Sequence, residues 1–279
     1  MIYTNRHNWP IEIANAIIRR SRQYSRGEAD FSVTDLLLSP QQYYLRERHY
    51  DEIEIDVSTL LQTWQGSLIH DAIEMNVPKV TVLMGAYFIS GKADYILAGV
   101  IKDYKRTRCN ALLYGSHLDK WTMQLNTYRY LYLTSMGIST QKLYTNAILW
   151  DWNLYAPKFP SAVETKQIDL WSPDYTKQQI ERAMDRLSIM SKELPPCTDS
   201  ERWAKADSWA VLKKGGKRAL KLYPTEGQAC GDAEQREYDT RVEFRVGDAT
   251  HFCRMFCICR DVCPQYKALK GEELQDVSN

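Results

Sequence analysis

Residues 91–105, GKADYILAGVIKDYK, constrain the fold of this chain more than any other segment. Apolar residues fill most positions on both sides of Ala98-Gly99, and a glycine suits the positive φ of a two-residue hairpin turn. We therefore expect two antiparallel strands joined at this turn, with Asp94 directly opposite Asp103. Opposed side chains point to one face with Cβ atoms about 4.5–5.5 Å apart. Lys105, two residues beyond Asp103, shares that face.

This set of charges has a specific chemical use. Two opposed carboxylates repel each other, and a divalent cation between them removes that penalty while using both as oxygen ligands. The Lys105 ammonium can stabilise charge on a phosphate or orient a water, as metal-assisted phosphodiester hydrolysis requires. The alternative is a solvated strand face with three ordinary charges. The apolar flanks favour a central strand pair instead, where buried charges need a partner.

Polar residues on two predicted helices could support this site. The helix predicted over 58–76 carries His70, and Glu74 lies four residues on, on the same face. The helix predicted over 119–136 places Gln124 and Tyr128 on one face, where an amide and a phenol could hold a phosphate, the lysine amine or a base edge. Each set could also be structural: a satisfied core or surface histidine, and two incidental polar residues.

The order of elements predicts a mixed central sheet flanked by helices, of class α/β. The N-terminal helical part is predicted over 1–78, the sheet-containing core over 79–195 and a C-terminal extension, irregular and cysteine-rich, over 196–279. Within them the pattern predicts helices over 8–25, 32–49 (broken or kinked at Pro40), 58–76, 119–136 and 173–194, and a buried strand over 143–150.

Composition excludes several classes of protein. The 279 residues are 44% hydrophobic and 25% charged, which is ordinary for a globular chain and unlike a disordered or collagen-like one. No apolar run approaches the roughly 18 residues of a membrane span, and the N-terminus does not resemble a signal peptide, so we expect a cytoplasmic protein without a membrane partner. The net charge of +1 means that any nucleic-acid contact must come from local patches.

Such a patch is predicted near the C-terminus. Residues 208–223 read as a hairpin around Gly215-Gly216, and its tip and flanks are basic. Basic side chains neutralise phosphates, and the nearby Trp203 and Trp209 could stack on unpaired bases. An exposed hairpin solubilised by lysines is the alternative. The residues predicted to bind nucleic acid are Lys213, Lys214, Lys217 and Arg218.

Cysteines cluster in the last part of the chain. Of seven, four lie within eleven residues, at Cys253, Cys257, Cys259 and Cys263, and the other three are scattered. In a reduced compartment, clustered thiols favour a metal over disulfides. The two separated C-x2-C pairs of a zinc ribbon are absent.

Together these motifs resemble the PD-(D/E)XK nuclease superfamily, in the RecB-like branch that also contains the CRISPR adaptation exonucleases. The branch has G-x-x-x-H, G-x-x-D, D-x-K and Q-x-x-x-Y motifs in that order, which match Gly66–His70, Gly91–Asp94, Asp103–Lys105 and Gln124–Tyr128. The whole chain also resembles phage-encoded members, with SVTDLL near the start, LWDW at 149–152 and the cysteine-rich ending.

The resemblance implies a restriction-endonuclease-like core and a role for each matched residue. It implies that Asp94, Asp103, His70 and the main-chain carbonyl of Tyr104 bind Mg²⁺ or Mn²⁺. It further implies that Lys105 is the catalytic lysine and that Gln124 and Tyr128 support it, while Glu74 has no assigned role.

The resemblance also implies an iron–sulfur cluster. Three C-terminal cysteines of the branch, matched by Cys253, Cys257 and Cys263, join an upstream Cys-Pro, where this chain has Ser39-Pro40. Cys259 is the natural replacement, with Cys230 second. A [4Fe–4S] cluster is favoured, and zinc and a metal-free tail remain alternatives.

These observations predict a metal-dependent DNA nuclease, foremost an exonuclease on single-stranded or end-processed DNA in recombination or replication. A recombinase or a single-strand-binding protein is a possible partner. The alternatives are a structure-specific endonuclease on the same core and a non-cleaving DNA-binding accessory protein. No phosphate-binding GxxxxGK[ST] loop occurs, so the chain is not itself a helicase.

Overall fold

The chain divides into two units in a computed structural model that describes residues 1–23, 27–73, 75–115, 117–188 and 194–276. The first unit comprises Met1–Tyr43 and Glu54–Leu194, and the second comprises Tyr44–Ile53 and Pro195–Asn279. Glu74 and parts of the helices predicted over 8–25, 58–76 and 173–194 lie outside the described residues.

In the described ranges, the first unit contains nine strands and the helices that flank them. The strands are β1 Ile2–Thr4, β2 Phe31–Ser32, β3 Glu54–Asp56, β4 Val80–Met84, β5 Tyr87–Gly91, β6 Tyr95–Leu97, β7 Val100–Thr107, β8 Lys142–Leu149 and β9 Val163–Ile168. The helices are α1 Ile11–Arg22, α2 Pro40–Arg48 (which crosses the division between the units), α3 Val57–Ile73, α4 Cys109–Leu113, α5 Leu118–Met136 and α6 Pro173–Ser188.

The strands form mixed sheets, which confirms the α/β class. The largest sheet has the order β6-β7-β8-β9, with antiparallel pairs at both ends and a parallel β7–β8 pair in the centre. A second sheet has the order β2-β5-β4, and β1 pairs with β3. The parallel β7–β8 pair requires a crossover, which α5 supplies.

Helix α5 organises the main core of the first unit. Leu125, Leu131 and Tyr132 are fully buried and pack with Ile101 of β7 and other core residues. Gly137 ends the helix in the left-handed region at φ 67°, where its amide N–H caps the carbonyls of the last turn. The helices predicted over 58–76 and 119–136 and the strand predicted over 143–150 are confirmed as α3, α5 and β8.

The helix predicted over 32–49 is wrong in its first part. Residues 31–32 form strand β2, a short 3₁₀ turn follows at Asp35–Leu37, and α2 begins at Pro40. Ser39 caps this helix, since its Oγ accepts a hydrogen bond from the Gln42 N–H at 3.1 Å. Pro40 therefore starts a helix rather than breaking one, because the first helical position needs no amide donor.

The C-terminal extension is more regular than the sequence suggested. Its strands are β10 Ser208–Lys213, β11 Ala219–Tyr223 and β12 Thr240–Arg245, which form an antiparallel sheet in the order β11-β10-β12. Its helices are α7 Asp199–Arg202, α8 Glu226–Glu234, α9 His251–Met255 and α10 Pro264–Asp276. The β10–β11 hairpin is confirmed, and β12 is a third strand that the sequence analysis missed. Across both units, no helix in the described ranges is long and apolar enough to cross a membrane.

Candidate active site

The hairpin that carries the acidic pair has the predicted register. Tyr95 pairs with Lys102 and Leu97 with Val100 across the Ala98-Gly99 turn. Ala98 and Gly99 have φ values of 48° and 75°, the two positive angles of a type I′ turn. The next positions outward from the Tyr95–Lys102 pair are those of the two aspartates.

Asp94 connects helix α3 to strand β7. Its Oδ1 lies 2.8 Å from Nδ1 of His70, and its Oδ2 accepts a hydrogen bond from the Tyr104 N–H at 2.8 Å. The hydrogen bond to Asp94 raises the pKa of His70, although burial of the ring opposes that effect. His70 of the G-x-x-x-H motif is therefore in direct contact with Asp94 of the G-x-x-D motif.

Asp103 and Lys105 form a second pair. Nζ of Lys105 lies 2.7 Å from Oδ2 of Asp103, and Asp103 is only 3% exposed. Apart from this ion pair, Oδ2 of Asp103 has no hydrogen-bond partner among the described residues. Burial raises the pKa of Asp103, Lys105 opposes that rise and the Asp94 carboxylate adds to it. Burial of the ionised Asp103 carboxylate therefore destabilises the folded protein.

The donor chemistry of these residues fits a hard divalent cation. Carboxylate oxygens are the ligands that Mg²⁺ and Mn²⁺ prefer, and Asp103 offers a buried oxygen that, apart from the Lys105 ion pair, has no hydrogen-bond partner among the described residues. In the described part of the chain, however, no three His, Cys, Asp or Glu side chains are arranged as they stand to hold an ion. The ion pairs with His70 and Lys105 each engage one of the two carboxylates. A cation would compete with these pairs for the same oxygens.

Gln124 and Tyr128 lie together on α5, as their spacing predicts. Nε2 of Gln124 donates a hydrogen bond to the Tyr128 hydroxyl at 3.2 Å, and both side chains are buried. The Tyr128 ring also lies close to the Cα of Gly91. Their expected role in supporting Lys105 stays a prediction.

Tyr132, one helical turn beyond Tyr128, is a site residue that the sequence analysis missed. Its hydroxyl accepts a hydrogen bond from the Ala93 N–H at 3.3 Å and donates one to the Pro78 carbonyl at 2.6 Å. The side chain is fully buried. Tyr132 thus holds the backbone immediately before Asp94, and the available signal was the continuation of the Gln124–Tyr128 spacing by four more residues.

We expect Tyr132→Phe to destabilise the chain by about 1–3 kcal/mol, because it leaves the Ala93 N–H and the Pro78 carbonyl without their partner in a buried place. Denaturant unfolding measures this loss. Tyr130→Phe is the matched control, since the Tyr130 hydroxyl makes no hydrogen bond within the described residues. Equal stability of the two variants would contradict the assigned role of Tyr132.

The four clustered cysteines lie near one another in the second unit. Cys253, Cys259 and Cys263 are buried, and all seven cysteines of the chain are free thiols. Burial, followed by the neighbouring Cys257 and Cys263, raises the pKa of Cys253 to about 11. A hydrogen bond with Cys259 and burial raise the pKa of Cys257. Sγ of Cys263 accepts the Tyr266 N–H at 3.4 Å, at the start of α10.

Cys197, which the sequence analysis treated as scattered, lies beside this cluster. Gln265, two residues after Cys263, binds the Cys197 backbone twice: Oε1 accepts its N–H at 2.8 Å and Nε2 donates to its carbonyl at 2.9 Å. Nε of the buried Arg202 donates to the same carbonyl at 3.2 Å. The charge of Arg202 also lowers the pKa of Cys253 against the larger effect of burial. Cys197 is therefore a fifth candidate ligand.

The basic hairpin presents all four predicted DNA contacts at the surface. Lys213, Lys214, Lys217 and Arg218 are exposed. Lys214 forms an exposed ion pair with Asp239 at 3.1 Å, and the Lys213 ammonium lies 5.6 Å from the centre of the Tyr238 ring. Strand β12 adds Arg241 and Arg245, whose guanidinium groups donate to the backbone of the hairpin turn.

Comparison with known proteins gives a distant structural likeness. No family model and no curated protein matches the chain. Among solved structures, the crystal structure of SSO0001 is similar over 66% of this chain and 88% of its own, at 15% identity and a TM-score of 0.44. A likeness of this degree supports no inference about function.

Proposed function

We propose that this protein is a metal-dependent DNA nuclease with a PD-(D/E)XK core. One observation carries the proposal: the β6–β7 hairpin places Asp94 and Asp103 at neighbouring positions, with His70 2.8 Å from the first and Lys105 2.7 Å from the second. The substrate we propose is single-stranded or end-processed DNA, cut from a free end.

Each residue then has a chemical task. Asp94, Asp103, His70 and the Tyr104 carbonyl are the proposed ligands, and a bound Mg²⁺ or Mn²⁺ supplies an acidified water and neutralises phosphate charge. Lys105 presents its ammonium to the attacked phosphate, where added negative charge develops. Gln124 and Tyr128 fix the position of the lysine from α5.

A cleavage assay on three DNA substrates tests this proposal. Purified protein is incubated with end-labelled linear single strands, linear duplex and closed single-stranded circles, in Mg²⁺, Mn²⁺ or EDTA. We expect degradation of linear strands with either metal and none in EDTA. Cleavage of circles would support the endonuclease alternative. If the protein binds these substrates but cleaves none of them, the nuclease proposal is wrong. The non-cleaving DNA-binding accessory protein is then the remaining alternative.

For the second unit we propose a cysteine-bound [4Fe–4S] cluster, with zinc as the alternative. Cys253, Cys257 and Cys263 are the proposed core ligands, because they match the three C-terminal cysteines of the branch that the sequence resembles. The fourth ligand is either Cys259, which hydrogen bonds to Cys257, or Cys197, which Gln265 holds near Cys263. A reduced cytoplasm, that of the host for a phage-encoded chain, suits such a centre.

Serine variants of the cysteines identify the metal and its ligands. Protein purified without oxygen should be brown and carry iron, and Cys253→Ser, Cys257→Ser and Cys263→Ser should each lose both. The fourth ligand is whichever of Cys197→Ser and Cys259→Ser loses the iron. Cys109→Ser is the control that should retain it, and loss of iron in Cys230→Ser would make Cys230 the fourth ligand. Colourless protein with stoichiometric zinc would contradict the iron–sulfur assignment.

The basic hairpin is proposed to hold the DNA substrate. Lys213, Lys214, Lys217 and Arg218 are exposed and lie around one turn. They would contact phosphates without reading sequence, since charge neutralisation carries no sequence information. A recombinase or a single-strand-binding protein, as a partner on the same DNA, is part of this proposal.

A further inference from the structure

The β6–β9 sheet has two faces of different character. Side chains alternate between the faces along a strand, so Ile101, Asp103 and Lys105 share one face, and Lys102, Tyr104 and Arg106 share the other. On the first face, Ile101, its pairing partner Leu143, and Ala147, which pairs with Lys105, are fully buried. On the second, which we call the outer face, Lys102, Tyr104 and Arg106 are only half-buried.

Aromatic rings occupy successive rows of the outer face. Tyr95, Lys102 and Tyr144 are paired across three strands and form one row. Tyr104 and Asn146 form the next row, and their side chains are hydrogen bonded. Trp150 follows directly after β8 and is 41% exposed. Planar rings on a half-exposed sheet face are a surface on which unpaired bases can stack.

The charges of this face are positive. The Lys102 ammonium lies 4.8 Å from the centre of the Tyr95 ring. The guanidinium groups of Arg106 and Arg108 lie 4.8 Å and 4.7 Å from the centre of the Trp150 ring. Within the described ranges, none of these three cations forms an ion pair with a carboxylate. The Asp151 carboxylate, whose charge interacts with that of Arg108, accepts a hydrogen bond from the Cys109 N–H.

Arg106 and Arg108 are held together although they repel each other. Both guanidinium groups lie over the Trp150 ring, which places two like charges close together. Two guanidinium groups over one indole ring form a small site of charge about +2. An anion such as a phosphate would relieve this repulsion, while the exposed ring beside it offers a base its face.

We propose that the outer face binds a single-stranded nucleic acid, with bases stacked on Tyr95, Tyr104, Tyr144 and Trp150 and phosphates bound by Lys102, Arg106 and Arg108. Paired bases would not expose their faces to these rings, so duplex DNA should bind here more weakly. This inference goes beyond the proposed nuclease function, because binding here needs no cleavage. The face lies on the reverse side of β7 from Asp103 and Lys105, and both functions would therefore use one strand.

The test measures the affinity of fluorescein-labelled dT20 by anisotropy in EDTA, which stops metal-dependent cleavage. Arg106→Gln combined with Arg108→Gln should weaken binding at least tenfold and reduce the log–log salt slope by up to about 1.4, or about 0.7 per phosphate contact. Trp150→Leu should weaken binding by about 5- to 150-fold, which corresponds to the 1–3 kcal/mol of one stacked base. A hairpin duplex should show a smaller change in each variant.

Two controls make the result decisive. Lys177→Gln combined with Arg182→Gln removes the same charge from α6 and should leave dT20 affinity within twofold. Each measurement is repeated with Lys213, Lys214, Lys217 and Arg218 all replaced by Ala, so that the hairpin cannot mask a loss. Unchanged affinity in the Arg106/Arg108 variant, or an equal loss in the α6 control, would overturn the proposal.

Other outcomes also decide between occupants. If the Arg106/Arg108 variant binds dT20 normally but loses affinity for polyglutamate, the face serves an acidic protein and the proposal is wrong. If the wild-type chain binds dT20 through this face and never cleaves DNA, the nuclease proposal fails and this one stands.

Discussion

Asp103→Asn will abolish DNA cleavage and at the same time stabilise the metal-free protein. The Asp103 carboxylate is 3% exposed, and burial raises its pKa despite the nearby Lys105. An amide of the same shape needs no desolvation of a charge. We expect melting in EDTA to rise by about 2–4 °C, which corresponds to about 1 kcal/mol in domains of 150–250 residues. Cleavage should fall by at least about 10³-fold, since charge stabilisation of that order is lost.

The effect of pH follows from the same group. Because the folded-state pKa of Asp103 is raised, the folded protein binds its proton more tightly than the unfolded chain does. Asp103 therefore lowers stability as pH rises from its unfolded value near 4 through its folded pKa. The stability difference between Asp103→Asn and the wild type should widen over that range and then level off. Asp185→Asn, an exposed substitution on α6, is the control measured in parallel. A lower melting temperature for Asp103→Asn would contradict the account.

Gly91→Ala will cost about 1–3 kcal/mol of stability, the usual range for overpacking a buried site. A Cβ at this position would lie 2.7 Å from Cγ2 of Val33 and 3.1 Å from both Leu131 and Tyr128. The Gly91 of the G-x-x-D motif is thus explained by the close approach of α5 to the end of β5. Because Asp94 follows three residues later, cleavage should also fall. Chemical denaturation and cleavage rates measure the two effects.

Gly66→Ala is the matched variant and should have the opposite effect. Gly66 lies inside α3, and a Cβ there would meet nothing within 4 Å. Replacing an internal helical glycine with alanine stabilises by about 0.5–1 kcal/mol. If Gly66→Ala is more stable than the wild type but cleaves DNA more slowly, the open space beside Gly66 is part of the substrate-binding site. Equal destabilisation by both substitutions would show that the packing argument for Gly91 is wrong.

The local parts of the site were predictable from the sequence. The register of the β6–β7 hairpin depends on the two residues of its turn, and positions four apart on a helix share a face whatever surrounds them. These rules were enough to place Asp94 beside Asp103 and Gln124 beside Tyr128. The contact between His70 and Asp94 is long-range, and it came from the resemblance rather than from spacing.

The parts that could not be predicted depend on distant segments. Tyr132 reaches the backbone of Pro78 and Ala93, and Cys197 is held by Gln265, 68 residues later. Strand β12 pairs with β10 across an intervening helix, and its charged residues give a weak alternating pattern. The prediction of a break or kink at Pro40 was wrong because proline can either break a helix or begin one. Ser39 caps the first turn, and the helix therefore begins at Pro40.

The most direct test of the central claim is single-turnover cleavage of end-labelled single-stranded DNA by Lys105→Met. Lys177→Met on the surface of α6 is its matched control. The account predicts that Lys105→Met loses at least about 10²-fold in rate in Mg²⁺ or Mn²⁺ while binding DNA in EDTA, and that the control cleaves at the wild-type rate. Cleavage by Lys105→Met at the wild-type rate, or wild-type cleavage that persists in EDTA, would contradict the account.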